Sequence, residues 1–86
     1  MVSKEIINKS KMSWLCRYVR NNFDNKELIS EMNRYENTDV LFLVMWFREN
    51  VKDINAFIDD LEKRYKISIT EEQHNKIYKY LEVLHI

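Results

Sequence analysis

Apolar positions recur every three or four residues along most of the chain, and that spacing predicts amphipathic helices. Over residues 3–21 the apolar face is Ile7, Trp14, Leu15, Tyr18 and Val19, widened by Met12 and Cys16, with Ser3 as the expected cap. Lys9, Ser13, Arg17 and Arg20 fall on the opposite side. Over residues 25–36 the face is Leu28, Ile29, Met32 and Tyr35. Asp24 reads as the cap of this second helix, with Glu27 three residues on and Phe23 and Leu28 placed as a hydrophobic staple. Val51, Ile54, Phe57, Ile58, Leu61 and Tyr65 mark a helix over 51–65, which Asn50 is expected to cap. Asp59 with Lys63, Asp60 with Arg64 and Glu62 with Lys66 stand in the favourable acid-to-base order at i,i+4. After an extended connector at residues 66–69, Thr70 and Gln73 form a capping box. The last helix, 71–85, carries Ile77, Tyr78, Leu81 and Leu84.

The segment between residues 39 and 49 has no such period. Val40 to Phe47 is an unbroken apolar run of eight residues. A run of this kind suits either a buried strand or a helix buried all round. Its length with flanks is that of a helix, and no other segment alternates as a strand partner would, so a helix capped by Asp39 is expected.

The fold class that follows is all-α: a single domain, 1–86, of about five short helices (3–21, 25–36, 39–49, 51–65 and 71–85) around an apolar third helix. Composition agrees. The 86 residues contain no Gly and no Pro, whereas tight hairpin turns need residues that accept positive φ. A 45% apolar fraction with balanced charge, 14 basic against 14 acidic residues, is not that of a disordered chain. Only about 60% of the unfolded surface of a chain this small becomes buried. Large side chains dominate and Ala56 is the one Ala. Two outcomes follow: everything closes into an ordinary core, or some of Trp14, Tyr18, Phe42, Trp46 and Phe47 stay accessible as an interaction patch.

Catalytic constellations are thin. One Cys excludes an internal disulfide and a Cys-based zinc site. The absence of Gly excludes a phosphate-cradling loop. His74 and His85 lie about 16 Å apart along one helix and cannot share a metal ion. Cys16 lacks a neighbouring base, and a buried thiol is the common fate of such a residue. Asp59–Asp60 and Glu71–Glu72 are adjacent carboxylates that diverge on a helix. No enzyme activity, cofactor or metal is therefore expected.

Charge is uneven along the chain. Residues 1–23 carry net +4, five bases against Glu5, and residues 24–39 net −3, five acids against Lys26 and Arg34. Lys9, Ser13, Arg17 and Arg20 make a basic stripe. It serves either to complement the second helix or to dock an acidic partner or phosphates. A helix-turn-helix in the last two helices is disfavoured by Glu71 and Glu72 at the end that would meet DNA.

The expected role is thus a small non-catalytic protein–protein interaction module: an inhibitor, adaptor or regulator. Its partner is another protein, a second copy, or both. The expected contact residues are Trp14, Tyr18 and Trp46 as anchors, with Lys9, Arg17 and Arg20 as charges around them. The alternative is a small nucleic-acid-binding regulator that uses the basic stripe. Nine Asn, nine Lys and nine Ile suggest an AT-rich coding sequence, as in a low-GC bacterium or its phage, and by analogy a phage protein directed at a host factor. The N-terminus has no apolar stretch of a secretory signal, and no run reaches the roughly 20 residues of a membrane span, so the cytoplasm is the expected compartment.

Overall fold

The computed structural model describes residues 4–85, with side chains for residues 9–84. Five helices follow one another: α1 (Lys4–Asn22), α2 (Lys26–Asn37), α3 (Val40–Asn50), α4 (Ile54–Tyr65) and α5 (Glu71–Leu81), the last continued by a 3-10 turn, Glu82–His85. There is no strand among the described residues. Ser3, the expected cap of α1, lies outside them.

α1 is the spine. Met12, Leu15, Cys16 and Val19 form its buried face, and α2, α3, α5 and the 3-10 turn all pack on it. α4 closes the bundle against α2 and α5. Ile58, Leu61, Ile77, Leu81 and Leu84 complete one continuous core. An apolar void bounded by Leu15, Met32, Leu61 and Leu81 holds about 10 Å³, which is at the limit for one water molecule.

Helix ends are set by side chains. Asp39 accepts from the N–H groups of Leu41 and Phe42 at 3.0 and 3.3 Å. Thr70 and Gln73 form the reciprocal capping box, with both bonds at 3.0–3.1 Å. Two caps differ from the sequence expectation. Asn25, not Asp24, caps α2: its Oδ1 accepts from Leu28 N–H at 2.9 Å, and its Nδ2 donates to the Tyr65 carbonyl at 3.0 Å. An amide can do both at once, tying the start of α2 to the end of α4, whereas an ionised Asp has no proton to donate. Asp53, not Asn50, caps α4 by accepting from Asn55 N–H at 3.0 Å. Asn50 instead belongs to α3, where its Nδ2 donates to the Trp46 carbonyl. The extended residue between them, Val51, is buried, so the chain needs the 51–53 link to bring it inward.

With no Gly available, Lys66 takes the left-handed conformation after α4, at φ 54° and ψ 47°. Ile67 N–H then bonds the Glu62 carbonyl at 3.1 Å, the six-to-one closure of a helix end that usually employs Gly.

The largest departure concerns α3, which is not the centre of the bundle. Val40, Leu43 and Phe47 are buried, while Leu41, Phe42, Met45 and Trp46 are exposed. The reason is one of supply. α1, α2, α4 and α5 already cover one another, and in a chain this short no further element remains to cover the outer side of α3.

α2 and α4 share a carboxylate. Glu31, whose side chain is 10% exposed, accepts hydrogen bonds from the hydroxyls of Tyr35 and Tyr65, and Arg64 stands 3.5 Å from it. Arg64 is also 3.5 Å from Asp60, the i,i+4 partner expected from the sequence. Glu62 accepts from Ile69 N–H and so pins the connector.

Two stability predictions follow from these contacts. Asn25→Ala should destabilise by about 1–2 kcal/mol through loss of both the cap and the Tyr65 link, and Asp24→Ala by much less; denaturant titration ranks them. Glu31→Ala should cost about 2–3 kcal/mol, since it leaves two tyrosine hydroxyls without their acceptor. A loss as small as that of Asp60→Ala would show that the network contributes nothing.

Candidate functional site

Helix geometry explains why the outer face of α3 is apolar. Successive residues turn by about 100°, so Val40, Leu43 and Phe47 share the inward side while Leu41, Phe42 and Met45 share the outward one. Leu41 is 61%, Phe42 64% and Met45 62% exposed, and Trp46 beside them is 37% exposed. Four large apolar side chains on two turns of one helix form a contiguous patch, which is not the scattered single exposure normal for a surface.

Ring contacts join the patch and the helix beneath it to their neighbours. The Trp46 ring packs on Tyr35 of α2 at 6.3 Å between centroids, and Phe47 meets Phe57 of α4 edge-on at 5.5 Å. A cleft of about 130 Å³ opens between α2 and α3, bounded by Arg34, Tyr35, Thr38, Phe42, Leu43 and Trp46. Arg34 and Asp39 are exposed at the N-terminal end of the patch, and Arg48 and Glu49 at its C-terminal end. Each end therefore carries one base and one acid.

The six residues expected to meet a partner do not converge. Trp14, Arg17 and Tyr18 line one cleft of about 240 Å³ with Asn21, Asn22 and Tyr80. Tyr18 there packs on Tyr80 of α5 at 6.1 Å, and Lys11 lies 5.0 Å from the Trp14 ring centre. Burial, with Glu72 and Tyr80 nearby, pushes the Tyr18 hydroxyl above its ordinary pKa. Trp46 lies in the α2–α3 cleft. Lys9 lines a third depression with Glu36 and Asp39, next to the Ser13–Glu36 contact at 3.5 Å. Arg20 is exposed. Part of the basic stripe thus faces the acidic end of α2. Leu41 and Met45 were not singled out by the sequence, because an unbroken apolar run carries no phase from which to read its outward side.

Groups with catalytic potential are otherwise engaged. The Cys16 thiol is fully buried and donates to the Met32 carbonyl at 2.8 Å. Burial first, then the neighbouring Glu36, push its pKa up to about 12, so it stays a thiol at neutral pH. His74 sits between α4 and α5, 2.8 Å from Asn55 Oδ1 through Nε2 and 4.0 Å from Asp59 through Nδ1. His85 lies on the 3-10 turn beyond α5, not on the same helix. No group of three or more metal-binding side chains occurs among the described residues. Burial and the bond to Glu31 raise the Tyr65 pKa to about 12, and burial raises that of Tyr35 further.

Fold and surface together define a small all-α bundle with an apolar, charge-edged helix face. No described helix is long and apolar enough to cross a membrane. No protein-family model, curated protein or solved structure matches the chain.

The raised Cys16 pKa has a testable consequence. Below pH 9 the thiol is protonated in both folded and unfolded chains. Between about 9 and about 12 only the unfolded chain releases the proton, so stability falls as pH rises through that window. Tyr65 adds to the loss above pH 10. Cys16→Ala should show a shallower decline in unfolding free energy between pH 9 and 11. In the folded wild type, thiol reagents should react only as fast as the chain opens.

Proposed function

We propose that this protein is a small interaction module that works by contact and without catalysis, as an inhibitor, adaptor or regulator, and that the outer face of α3 is its contact surface. The observation that carries the reading is the joint exposure of Leu41, Phe42, Met45 and Trp46 on one helix. A compact monomer gains by hiding such side chains, at about 25 cal/mol per Å² of apolar surface. Here they stay outside, on a helix whose opposite side is held in the core. Aromatic residues, Met and Arg are the types enriched at protein interfaces, and this face offers Phe42, Trp46, Met45, Arg34 and Arg48 together. An origin in a phage, with a host factor as target, remains the biological setting suggested by the Asn-, Lys- and Ile-rich composition.

Nucleic-acid binding through the α1 stripe is the weaker reading. Lys9 shares its depression with Glu36 and Asp39, which a phosphate backbone would meet as like charge.

The test is affinity capture by the full chain from lysate of the cells that naturally make it, with and without nuclease. Wild type should retain a protein, another or a second copy of itself, in a manner insensitive to nuclease and only mildly weakened by salt. Phe42→Ser with Met45→Ser should lose it while melting as wild type does, because both side chains lie outside the core. Retention by that variant, or release by nuclease, would overturn the reading.

A further inference from the structure

We propose that the occupant of the α3 face is a second copy of this chain, with the two α3 helices packed antiparallel by their outer sides, across a twofold axis that lies between Phe42 and Met45 along the helix. The inference rests on the reading of that face as a contact surface and names its partner.

The order of residues along the face is self-complementary. Around such an axis, Phe42 of one copy meets Met45 of the other, and Met45 meets Phe42, as an isologous contact requires. Leu41 and Trp46 flank this centre on either side. Met45 is unbranched and adaptable, and it stands opposite the cleft of about 130 Å³ beside Phe42 and Trp46, which has room for one such side chain. Both copies make this insertion at once.

Charge selects the antiparallel arrangement. Thr38 lies across from Glu49 of the second copy, which brings that carboxylate to Arg34, the exposed base that borders the same cleft as Thr38. At the same end, Arg48 of the second copy reaches the N-terminus of α3, where Asp39 is exposed. An antiparallel pair also opposes the two helix dipoles. A parallel pair would instead set Arg34 near Arg34 and Glu49 near Glu49. A strongly acidic or strongly basic partner has no such match, since each end of the face carries both signs.

The area suffices. At about 200 Å² for a large side chain, the four apolar residues offer roughly 450 Å² per copy. The rim of Arg34, Thr38, Asp39, Arg48 and Glu49 brings this toward the roughly 800 Å² per partner of a standard interface.

Sedimentation equilibrium of the full chain over a wide concentration range tests the inference. Wild type should form a dimer. Met45→Glu should raise the dissociation constant by roughly a hundredfold, with an unchanged melting curve at a concentration where both are monomeric. Arg34→Glu and Glu49→Arg should each weaken the dimer by roughly tenfold, and the double reversal should restore it. A wild type that stays monomeric at millimolar concentration overturns the inference, as does a double reversal no stronger than its single variants. If the monomeric wild type captures a different protein and Met45→Glu does not, the second copy is overturned while the contact surface stands. If Met45→Glu changes neither self-association nor capture, both readings fall together.

Discussion

The bundle depends on the packing of one seam, the buried face of α1. Met12, Leu15, Cys16 and Val19 present a narrow strip onto which α2, α5, α3 and the terminal 3-10 turn converge. Cys16 is the small residue of that strip, and its thiol reaches the backbone of α2. In a chain with a single Ala and no Gly, few positions allow two helices to approach closely. Cys16 serves where Ala or Gly would in other bundles. The rest of the architecture follows from how many helices one such seam can hold.

α3 shows the limit. It lends its inner side to the seam and has nothing on its outer side. Its apolar character all round is therefore a conflict between local sequence and the fold of one chain, and conflicts of this kind concentrate at functional positions. The core reads as consistent: no buried side-chain nitrogen or oxygen among the described residues lacks a hydrogen-bond partner, and the near-buried Glu31 is satisfied by two tyrosines and an arginine. Among the described residues, four of the five exposed large apolar side chains thus lie on α3, and the fifth, Trp14, stands on α1.

Much of the fold was legible in the sequence because helix periodicity and capping are local. Four of the helices and the Thr70–Gln73 box could be read directly, while α3, which has no period, was inferred from its length and from the lack of a strand partner. Asn25 could not be preferred to Asp24, since the choice turns on a hydrogen bond to Tyr65, forty residues away. The left-handed Lys66 was equally hidden, as Lys carries no turn signal. On the exposed face of α3, Trp46 could be named from its residue type, but Leu41 and Met45 could not. Their exposure depends on how the chain apportions its few covering helices, a global property. Helical spacing put Trp14 and Tyr18 on one side of α1 and Arg17 on the other, whereas all three border one cleft beside Tyr80, and that spacing could not place them relative to α3.

Both indoles lie outside the core, Trp14 49% and Trp46 37% exposed. The folded chain should therefore emit at long wavelength already, and unfolding will change that emission little. Intrinsic fluorescence becomes an optical reporter of what touches α3, through Trp46, with Trp14 as an internal reference in a separate cleft beside Tyr80. Folding itself is better followed by helical circular dichroism, and the two signals can be read separately in one cuvette.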